Sequence, residues 1–394
     1  MPDTPALRRG YNIYMVKTAF SFLIFLLHFS LLSLPARSAG FGLDSVLASQ
    51  VPLLSPLREV PAPAAEARFD HTGLPFHLFA EETAITPVLV RAINTVNSTL
   101  DVALYNLQLS EVVEAMIAAR DRGARVRVVL DDKHVFPKRN ADIQRLLDAG
   151  MDVRVMRGRG RSGSMHNKYA IFDGAGLQTG SANWTWFAET SSYENMLFIY
   201  EPYTIAGYQA NFEWMWNQSR LASSPDSQAP PAGPVPTDPS PSLYFNGAYL
   251  PRYAFSPRGG TEAAIIKAID AVRSEIKIAM FTLTSEPIMS ALVRASSRGV
   301  SVKLMHNAGS SFPFFGDALK NRFDLRFSPG RTERGQMHNK FAVLDGALLI
   351  NGAFNWSATA EEKNAENTIF TAEPYYVQVY AAEFDRLFAA SKAP

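Results

Sequence analysis

Two sets of polar residues with the same internal spacing could do chemistry. Each set has a histidine, a lysine two residues later, an asparagine, and a glutamate 28 residues after the histidine. The two sets are His166, Lys168, Asn183 and Glu194, and His338, Lys340, Asn355 and Glu366. Cleavage of a phosphodiester needs a nucleophile, an acid for the leaving oxygen, and donors for the phosphate oxygens. Because the two sets supply all three, we predict a single phosphodiester-cleaving active site.

These residue types favour a covalent route. One neutral imidazole attacks phosphorus to give a phosphohistidine, and the other, protonated, delivers a proton to the leaving oxygen. The groups expected to hold the phosphate oxygens are Lys168, Lys340, Asn183, Asn355 and Ser181. One such donor is typically worth about 3 kcal/mol in the transition state. Ser181 has a second interpretation, as a residue that closes the turn after Gly180.

The acidic residues have two different expected roles. Glu194 and Glu366 are candidates to orient the imidazoles through the second ring nitrogen, although a salt bridge to a basic side chain would also explain them. Asp173 and Asp345 each precede a glycine at the same distance from their motif lysine. An Asp-Gly pair predicts a turn, so we expect structural hydrogen bonds from these aspartates.

A histidine cluster also suggests a metal site. The chain has no cysteine, which excludes thiolate ligands. A lysine lies two residues from each motif histidine, and an ammonium group is no ligand and repels a dication. We therefore predict catalysis without a metal or any other cofactor.

An internal duplication positions the two sets. Shifting the chain by 172 places 165–212 on 337–384 without a gap, and 23 of the 48 positions are identical, where ordinary composition gives roughly three. Alternating helix and strand patterns precede each motif. Within the first motif the sequence predicts strands over 166–172 and 177–181, with His166 and Lys168 on one face and Ser181 and Asn183 likewise on the neighbouring strand. The pattern predicts an α/β fold of two duplicated halves, each a β-sheet flanked by helices. We expect a pseudo-two-fold axis with one shared active site on it.

The N-terminal residues predict export. Arg8, Arg9 and Lys17 precede an apolar run over 19–34, and small residues follow. This order is typical of a secretory signal peptide over 1–39, which indicates a secreted or periplasmic protein; an uncleaved leader would anchor the chain in a membrane. The remaining predicted segments are an extension over 40–75, the first half over 76–217, a linker rich in proline and serine over 218–242, and the second half over 243–394.

The motifs resemble the signature of the phospholipase D superfamily, H-x-K followed by four residues and an aspartate, then G-S-x-N. His166 to Lys168, Asp173 and Gly180 to Asn183 match it fully, and the second copy departs from it only at Ala353. The glutamate after each histidine is similar to the compact branch of bacterial endonucleases and cardiolipin-hydrolase-like proteins. The resemblance covers 76–394.

This resemblance implies a pair of α/β halves with one metal-free site. It makes His166 the nucleophile and His338 the general acid. Ala353, where the family has serine, leaves both histidines in place and suggests that the halves have specialised.

The resemblance leaves the substrate open among phospholipids, nucleic acids and cardiolipin. Basic loops precede both motifs and would suit a lipid headgroup or a nucleic-acid backbone equally well; their arginines are Arg154, Arg157, Arg159, Arg161, Arg331 and Arg334. The apolar segment 312–315 favours a lipid surface. Without 1–39, the chain keeps 34 of its 38 basic and 36 of its 37 acidic residues, and this slight negative charge disfavours a sequence-blind DNA binder.

We therefore expect a monomeric phospholipase D that acts on phospholipid at a membrane surface and needs no protein partner. The alternative is an exported, non-specific DNA or RNA endonuclease with the same covalent mechanism. A third possibility, a non-catalytic scaffold, conflicts with two intact histidine–lysine–asparagine sets.

Overall fold

A computed structural model describes residues 71, 73–224, 233–310 and 322–393. All of them belong to one compact unit, Pro63–Pro394. The predicted signal peptide, most of the predicted extension, part of the linker and the 312–315 segment lie outside the described residues.

The first half alternates strands and helices. Its elements are β1 His77–Phe79, α1 Ile85–Asn94, β2 Thr99–Leu104, β3 Leu107–Gln108, α2 Ser110–Asp121, β4 Arg125–Asp131, α3 Asp132–Val135, α4 Ala141–Asp148, β5 Asp152–Met156, β6 Lys168–Phe172, β7 Gly176–Gly180, β8 Trp184–Thr185, α5 Trp186–Ser191, β9 Asn195–Ile199, α6 Pro202–Gln218 and β10 Arg220–Leu221.

The second half follows the same order after a short hairpin. Its elements are β11 Leu243–Phe245, β12 Ala248–Leu250, β13 Tyr253–Ser256, α7 Thr261–Ala271, β14 Glu275–Met280, α8 Glu286–Ser297, β15 Ser301–Asn307, β16 Asp324–Ser328, β17 Lys340–Leu344, β18 Leu348–Gly352, α9 Ala358–Glu362, β19 Glu366–Thr371 and α10 Pro374–Ala390.

Apart from an additional edge strand, β10, in the first sheet, the two large sheets have the same topology, which confirms the predicted α/β duplication. Within the described ranges, the first sheet has the order β1-β9-β7-β6-β2-β4-β5-β10 and the second the order β13-β19-β18-β17-β14-β15-β16. In each, three parallel strands adjoin an antiparallel set. The registers also repeat, since Val102 pairs with Val128 and the equivalent Ile278 with Leu304.

Both faces of each sheet are covered, because the central strands are apolar without alternation. In β6, Ala170 and Phe172 face the first half's own core, where α1, α2 and α4 pack. Tyr169 and Ile171 face a core shared by both halves, to which α6 and α10 contribute. The second half has its own outer core on the equivalent face of its sheet.

The shared core fixes the two halves against each other. The rings of Tyr169 and Tyr208 lie 5.0 Å apart, and the equivalent Phe341 and Tyr380 are also 5.0 Å apart. Burying one such side chain typically stabilises a fold by about 1.5–3 kcal/mol. This core therefore positions the strand ends that carry the motifs.

The longest described helices, α6 and α10, have 17 residues each. In the described part of the chain, none has the length and hydropathy of a membrane span.

Candidate active site

The histidines lie where the halves meet. His166 and His338 lie two residues before the first residues of β6 and β17, so each strand begins at the motif lysine and not, as the sequence predicted, at the histidine. The His166 backbone nitrogen donates to the Ala365 carbonyl at 2.8 Å, and that of His338 donates to the Tyr193 carbonyl at 3.0 Å. Each histidine is thus held beside the residue that precedes the glutamate of the other half.

Each imidazole is paired with the glutamate of the opposite half. His166 Nδ1 lies 2.7 Å from Glu366 Oε2, and His338 Nδ1 lies 2.7 Å from Glu194 Oε1. Both carboxylates are buried. Since Nδ1 is engaged in each ring, Nε2 is the nitrogen left for chemistry. The sequence predicts an orienting role for the glutamates, but not the exchange between halves.

The motif lysines are buried at the same place in each half. Lys168 Nζ donates to the His166 carbonyl at 2.7 Å, and Lys340 Nζ donates to the His338 carbonyl at 2.6 Å. Burial lowers the pKa of Lys168 to about 8, and nearby Glu366, Glu194 and Asp131 oppose that shift. Burial together with repulsion from Lys168 lowers the pKa of Lys340 to about 7, against the attraction of Glu194 and Glu366.

The electrostatics of the site favour neutral imidazoles. Burial lowers the pKa of His166 to about 4, with Glu366 opposing and both lysines reinforcing the shift. Burial, then Lys340 and Lys168, lowers the pKa of His338 well below its usual value. Burial raises the pKa of Glu194 to about 8, although Lys340 and the Ser181 hydroxyl oppose this. The two halves of the site therefore act on each other electrostatically.

Asn183 and Asn355 lie in loops, whereas the sequence predicted Asn183 on a strand. β7 ends at Gly180, whose φ is 148°, and a Cβ there would lie 2.3 Å from the Asn195 carbonyl oxygen. Asn183 and Asn355 follow this turn and its equivalent, both half-buried. Their Oδ1 atoms are buried without a hydrogen-bond partner among the described residues.

Ser181 lies behind the site. Its hydroxyl donates to Glu194 Oε2 at 2.6 Å and accepts from the Asn195 backbone nitrogen at 3.0 Å. The second half has Ala353 at this position. There, Asn364 Nδ2 donates to Glu366 Oε1 at 3.0 Å. The two glutamates thus accept hydrogen bonds from different residues.

Asp173 and Asp345 lie in turns, away from the histidines. Both have positive φ, 50° and 51°. The Asp173 carboxylate accepts from three successive backbone nitrogens, those of 97–99, at 2.8–2.9 Å. The Asp345 carboxylate does the same with the backbone nitrogens of 273–275. These contacts join each β-hairpin to the strand beside it.

Two aromatic residues at the site escaped sequence reasoning. Tyr105 follows β2 and packs edge-on against His166, with ring centroids 4.7 Å apart; Phe281 follows β14 and packs against His338 at the same distance. Their residue types do not indicate a role in the site, but the two occupy equivalent positions in the duplicated halves. Their rings help to hold the imidazoles in place.

Among the described residues, no group of three or more histidine, aspartate and glutamate side chains could hold a metal ion. Metal-independent catalysis stays a prediction.

Curated relatives resemble parts of the chain. The mitochondrial cardiolipin hydrolase of Chlamydomonas reinhardtii is 31% identical over 119 residues, 30% of this chain and 52% of that protein. The phospholipase D of Rickettsia typhi is 26% identical over 129 residues, 32% of this chain and 62% of that protein. The chain thus spans about half the length of the first relative.

A solved structure shares the fold over most of the chain. Phosphatidylserine synthase from Haemophilus influenzae superposes with a TM-score of 0.61 over 82% of this chain and 88% of that one, at 11% identity. That likeness shows the fold alone. The family model described as cardiolipin synthase, phospholipase D-like domain, matches residues 89–216 and 265–388, one match in each half. The chain therefore belongs to the phospholipase D superfamily.

Proposed function

We propose that the chain is a phosphodiesterase that works through a phosphohistidine and hydrolyses the headgroup diester of a phospholipid. The reciprocal pairing of His166 with Glu366 and of His338 with Glu194, each at 2.7 Å, carries the proposal. It fixes two imidazoles at one interface and gives each the orienting carboxylate that a nucleophile and a general acid need.

In the first step, His166 Nε2 attacks phosphorus and the bond from phosphorus to the headgroup oxygen breaks. His338 Nε2 gives its proton to that oxygen, and the headgroup alcohol leaves. The Glu366 carboxylate, bonded to Nδ1, stabilises the positive charge that develops on the His166 ring. In the second step, His338 takes a proton from water, the oxygen attacks phosphorus, and the bond to His166 breaks to give phosphatidic acid.

The phosphate oxygens gain negative charge during attack, and the site has cations and donors for them. The buried ammonium groups of Lys168 and Lys340 and the carboxamides of Asn183 and Asn355 supply these contacts in the proposal. A preorganised donor of this kind is typically worth about 3 kcal/mol. Its effect is largest where water is excluded, as around these buried lysines.

The depressed pKa of His166 suits attack, because the nucleophile must be unprotonated at neutral pH. The pKa of His338 has to be higher when it acts as the acid. A phosphodiester anion beside Lys168 and Lys340 offsets their repulsion and favours the imidazolium. Substrate binding and protonation of the acid are therefore linked in this mechanism.

A lipid substrate is supported by several observations. Two curated relatives are called cardiolipin hydrolase and phospholipase D, and the leader pattern over 1–39 suits action outside the cytoplasm. The net charge of the whole chain is only +1, whereas non-specific nucleic-acid binding draws on a strongly basic surface.

A substrate panel in EDTA tests the proposal. The full chain is incubated with vesicles of phosphatidylcholine, phosphatidylglycerol or cardiolipin, with plasmid DNA, and with RNA. We expect headgroup release from at least one lipid, lost in His166→Ala and kept in His77→Ala, which changes a histidine on the edge strand β1. Cleavage of DNA or RNA alone would favour the nuclease, and turnover by His166→Ala would refute the mechanism.

A further inference from the structure

A groove of about 900 Å³ lies beside the loop that leads into His166. Three arginines from the two halves line it, Arg157, Arg159 and Arg258, together with Trp214. None of its described lining residues is acidic. An anionic group therefore suits this groove.

The groove lies at the catalytic edge of the molecule. The Arg159 backbone nitrogen donates to the Lys363 carbonyl, and the His166 backbone nitrogen donates to the Ala365 carbonyl. Two residues of chain span at most about 7 Å, so the Arg159 backbone is held within roughly that distance, along the segment 363–365, of the backbone of His166. A guanidinium at this position can reach a second phosphate of a molecule whose first phosphate is at His166.

The duplication provides an internal control for Arg159, because its repeat equivalent is Arg331. The two backbones make the same contact, since the Arg331 nitrogen donates to the Ser191 carbonyl at 2.9 Å. The Arg331 guanidinium donates to the carbonyls of Ser192 at 2.9 Å, Ala80 at 3.0 Å and Glu189. Arg331 is thus occupied in holding the two halves together.

The Arg159 side chain has no such task. It is exposed, and its guanidinium makes no hydrogen bond or ion pair with any residue in the described ranges. Nearby, Arg157 pairs with Asp132 and Arg258 with Glu362, while Lys363 is exposed. Positive charge is therefore in excess around Arg159, and a guanidinium can bind two phosphate oxygens at once.

We propose that Arg159, with Arg258 across the groove, binds the second phosphate of a phospholipid that carries two phosphodiesters joined by a glycerol bridge. This inference rests on the proposed function and names its substrate class. The first phosphodiester lies at His166 while the second lies in the groove.

The asymmetry of the molecule favours such a lipid over nucleic acid. A polynucleotide presents phosphates on both sides of the reacting one, so it gains from cations on both sides of the pseudo-two-fold axis. Here the equivalent arginine on the other side, Arg331, is already bonded to backbone carbonyls of the first half. A lipid with one additional phosphate needs a cation on one side only. The indole of Trp214 and the proline-containing wall at 234–236 offer apolar contact to its glycerol bridge.

Arg159→Gln tests the subsite, with Arg125→Gln as the matched control. Arg125 is exposed at the opposite end of β4, about 20 Å along the strand from the catalytic edge. Hydrolysis is measured on vesicles that contain cardiolipin and on vesicles that contain phosphatidylglycerol, which has a single phosphate. We expect Arg159→Gln to lower the ratio of kcat/KM for cardiolipin to that for phosphatidylglycerol about tenfold, as loss of a charge-assisted hydrogen bond implies. Arg125→Gln should leave the ratio unchanged.

An unchanged ratio in Arg159→Gln, or an equal fall in both variants, would overturn the subsite. A larger loss on DNA than on either lipid would reassign the groove to nucleic acid. If the unmodified chain hydrolyses no lipid, the proposed function fails. The subsite is then still tested by flotation of His166→Ala, with and without Arg159→Gln, on cardiolipin vesicles, and equal flotation of the two would refute it.

Discussion

The two halves of the site agree in the groups that would touch phosphate and differ in the groups behind them. Each contributes a histidine bonded to the glutamate of the other half. Behind these, Ser181 donates to Glu194, while Ala353 stands at its equivalent position and Asn364 supports Glu366 instead. The position and pKa of each imidazole therefore depend on different neighbouring residues. Because of this difference, two equivalent histidines can have two different roles in the reaction.

Replacing each histidine in turn should give the largest difference in activity between the two halves. His166→Ala and His338→Ala should each lower turnover of a lipid by at least about four orders of magnitude, as for other nucleophiles and acid–base groups that act as a unit. With a p-nitrophenyl phosphodiester, however, the leaving group needs no proton. We then expect His338→Ala to release a stoichiometric burst of p-nitrophenolate and stall at the phosphohistidine, whereas His166→Ala gives no burst.

Rapid-mixing absorbance and mass spectrometry of the quenched protein measure this difference. A burst in His166→Ala alone would reverse the two roles. A burst in neither variant would contradict the covalent route, and His77→Ala should behave like the unmodified chain.

How much of the site could be predicted from sequence follows from how local each feature is. The spacing of His166 and Lys168 is local and repeated, so the sequence could predict the groups proposed to react. The strand prediction failed at Ser181, because the close approach of the Asn195 carbonyl ends β7 at Gly180. The pairing of Glu366 with His166 joins residues 200 positions apart, which no local pattern encodes. Hydrophobic periodicity likewise could not predict the order of the strands in each sheet, although the duplication indicated that both halves would share one order.

The two lysines should respond differently to an anion. At pH 8, Lys340, with a pKa of about 7, is mostly neutral, and Lys168, with a pKa of about 8, is half protonated. A bound tungstate raises both pKa values, so binding should take up protons, roughly half to one per site from Lys340. Calorimetry in buffers of different ionisation enthalpy measures the uptake. Lys340→Met should remove most of it and Lys168→Met less, and proton release in the unmodified chain would contradict the electrostatic account.

A smaller effect is expected behind the glutamates. The Ser181 hydroxyl lowers the pKa of Glu194 by donating to it, so Ser181→Ala should raise that pKa. The limb of the pH profile of kcat/KM that reports the ionisation of Glu194 should move to higher pH. At neutral pH, kcat/KM should fall about threefold to tenfold. Asn364→Ala contacts the other glutamate and should leave that limb in place. Equal shifts in both variants would contradict the assignment of that limb to Glu194 and its Ser181 hydrogen bond.

The smallest difference is expected in the turns, in stability rather than activity. The Asp345 carboxylate accepts from the backbone nitrogens of 273–275 and from Asn246 Nδ2 at 2.6 Å. Although burial opposes it, the hydrogen bonds from Ser274 and its neighbours lower the pKa of Asp345. Asp345→Asn keeps a side chain that tolerates positive φ, and we expect it to lower the free energy of unfolding by about 1–2 kcal/mol.

The lowered pKa of Asp345 determines how its contribution to the free energy of unfolding changes with pH. The carboxylate stabilises the fold above the ordinary pKa of aspartate, and this contribution disappears as pH falls through the lowered value. The gap between the unmodified chain and Asp345→Asn should therefore close in acid, as measured by urea unfolding between pH 7 and pH 3. Asp173→Asn, which affects the equivalent turn, should cost about 1 kcal/mol less, because only the Asp345 carboxylate also accepts from Asn246. A gap that stays constant with pH would mean that the charge of Asp345 contributes nothing to the turn.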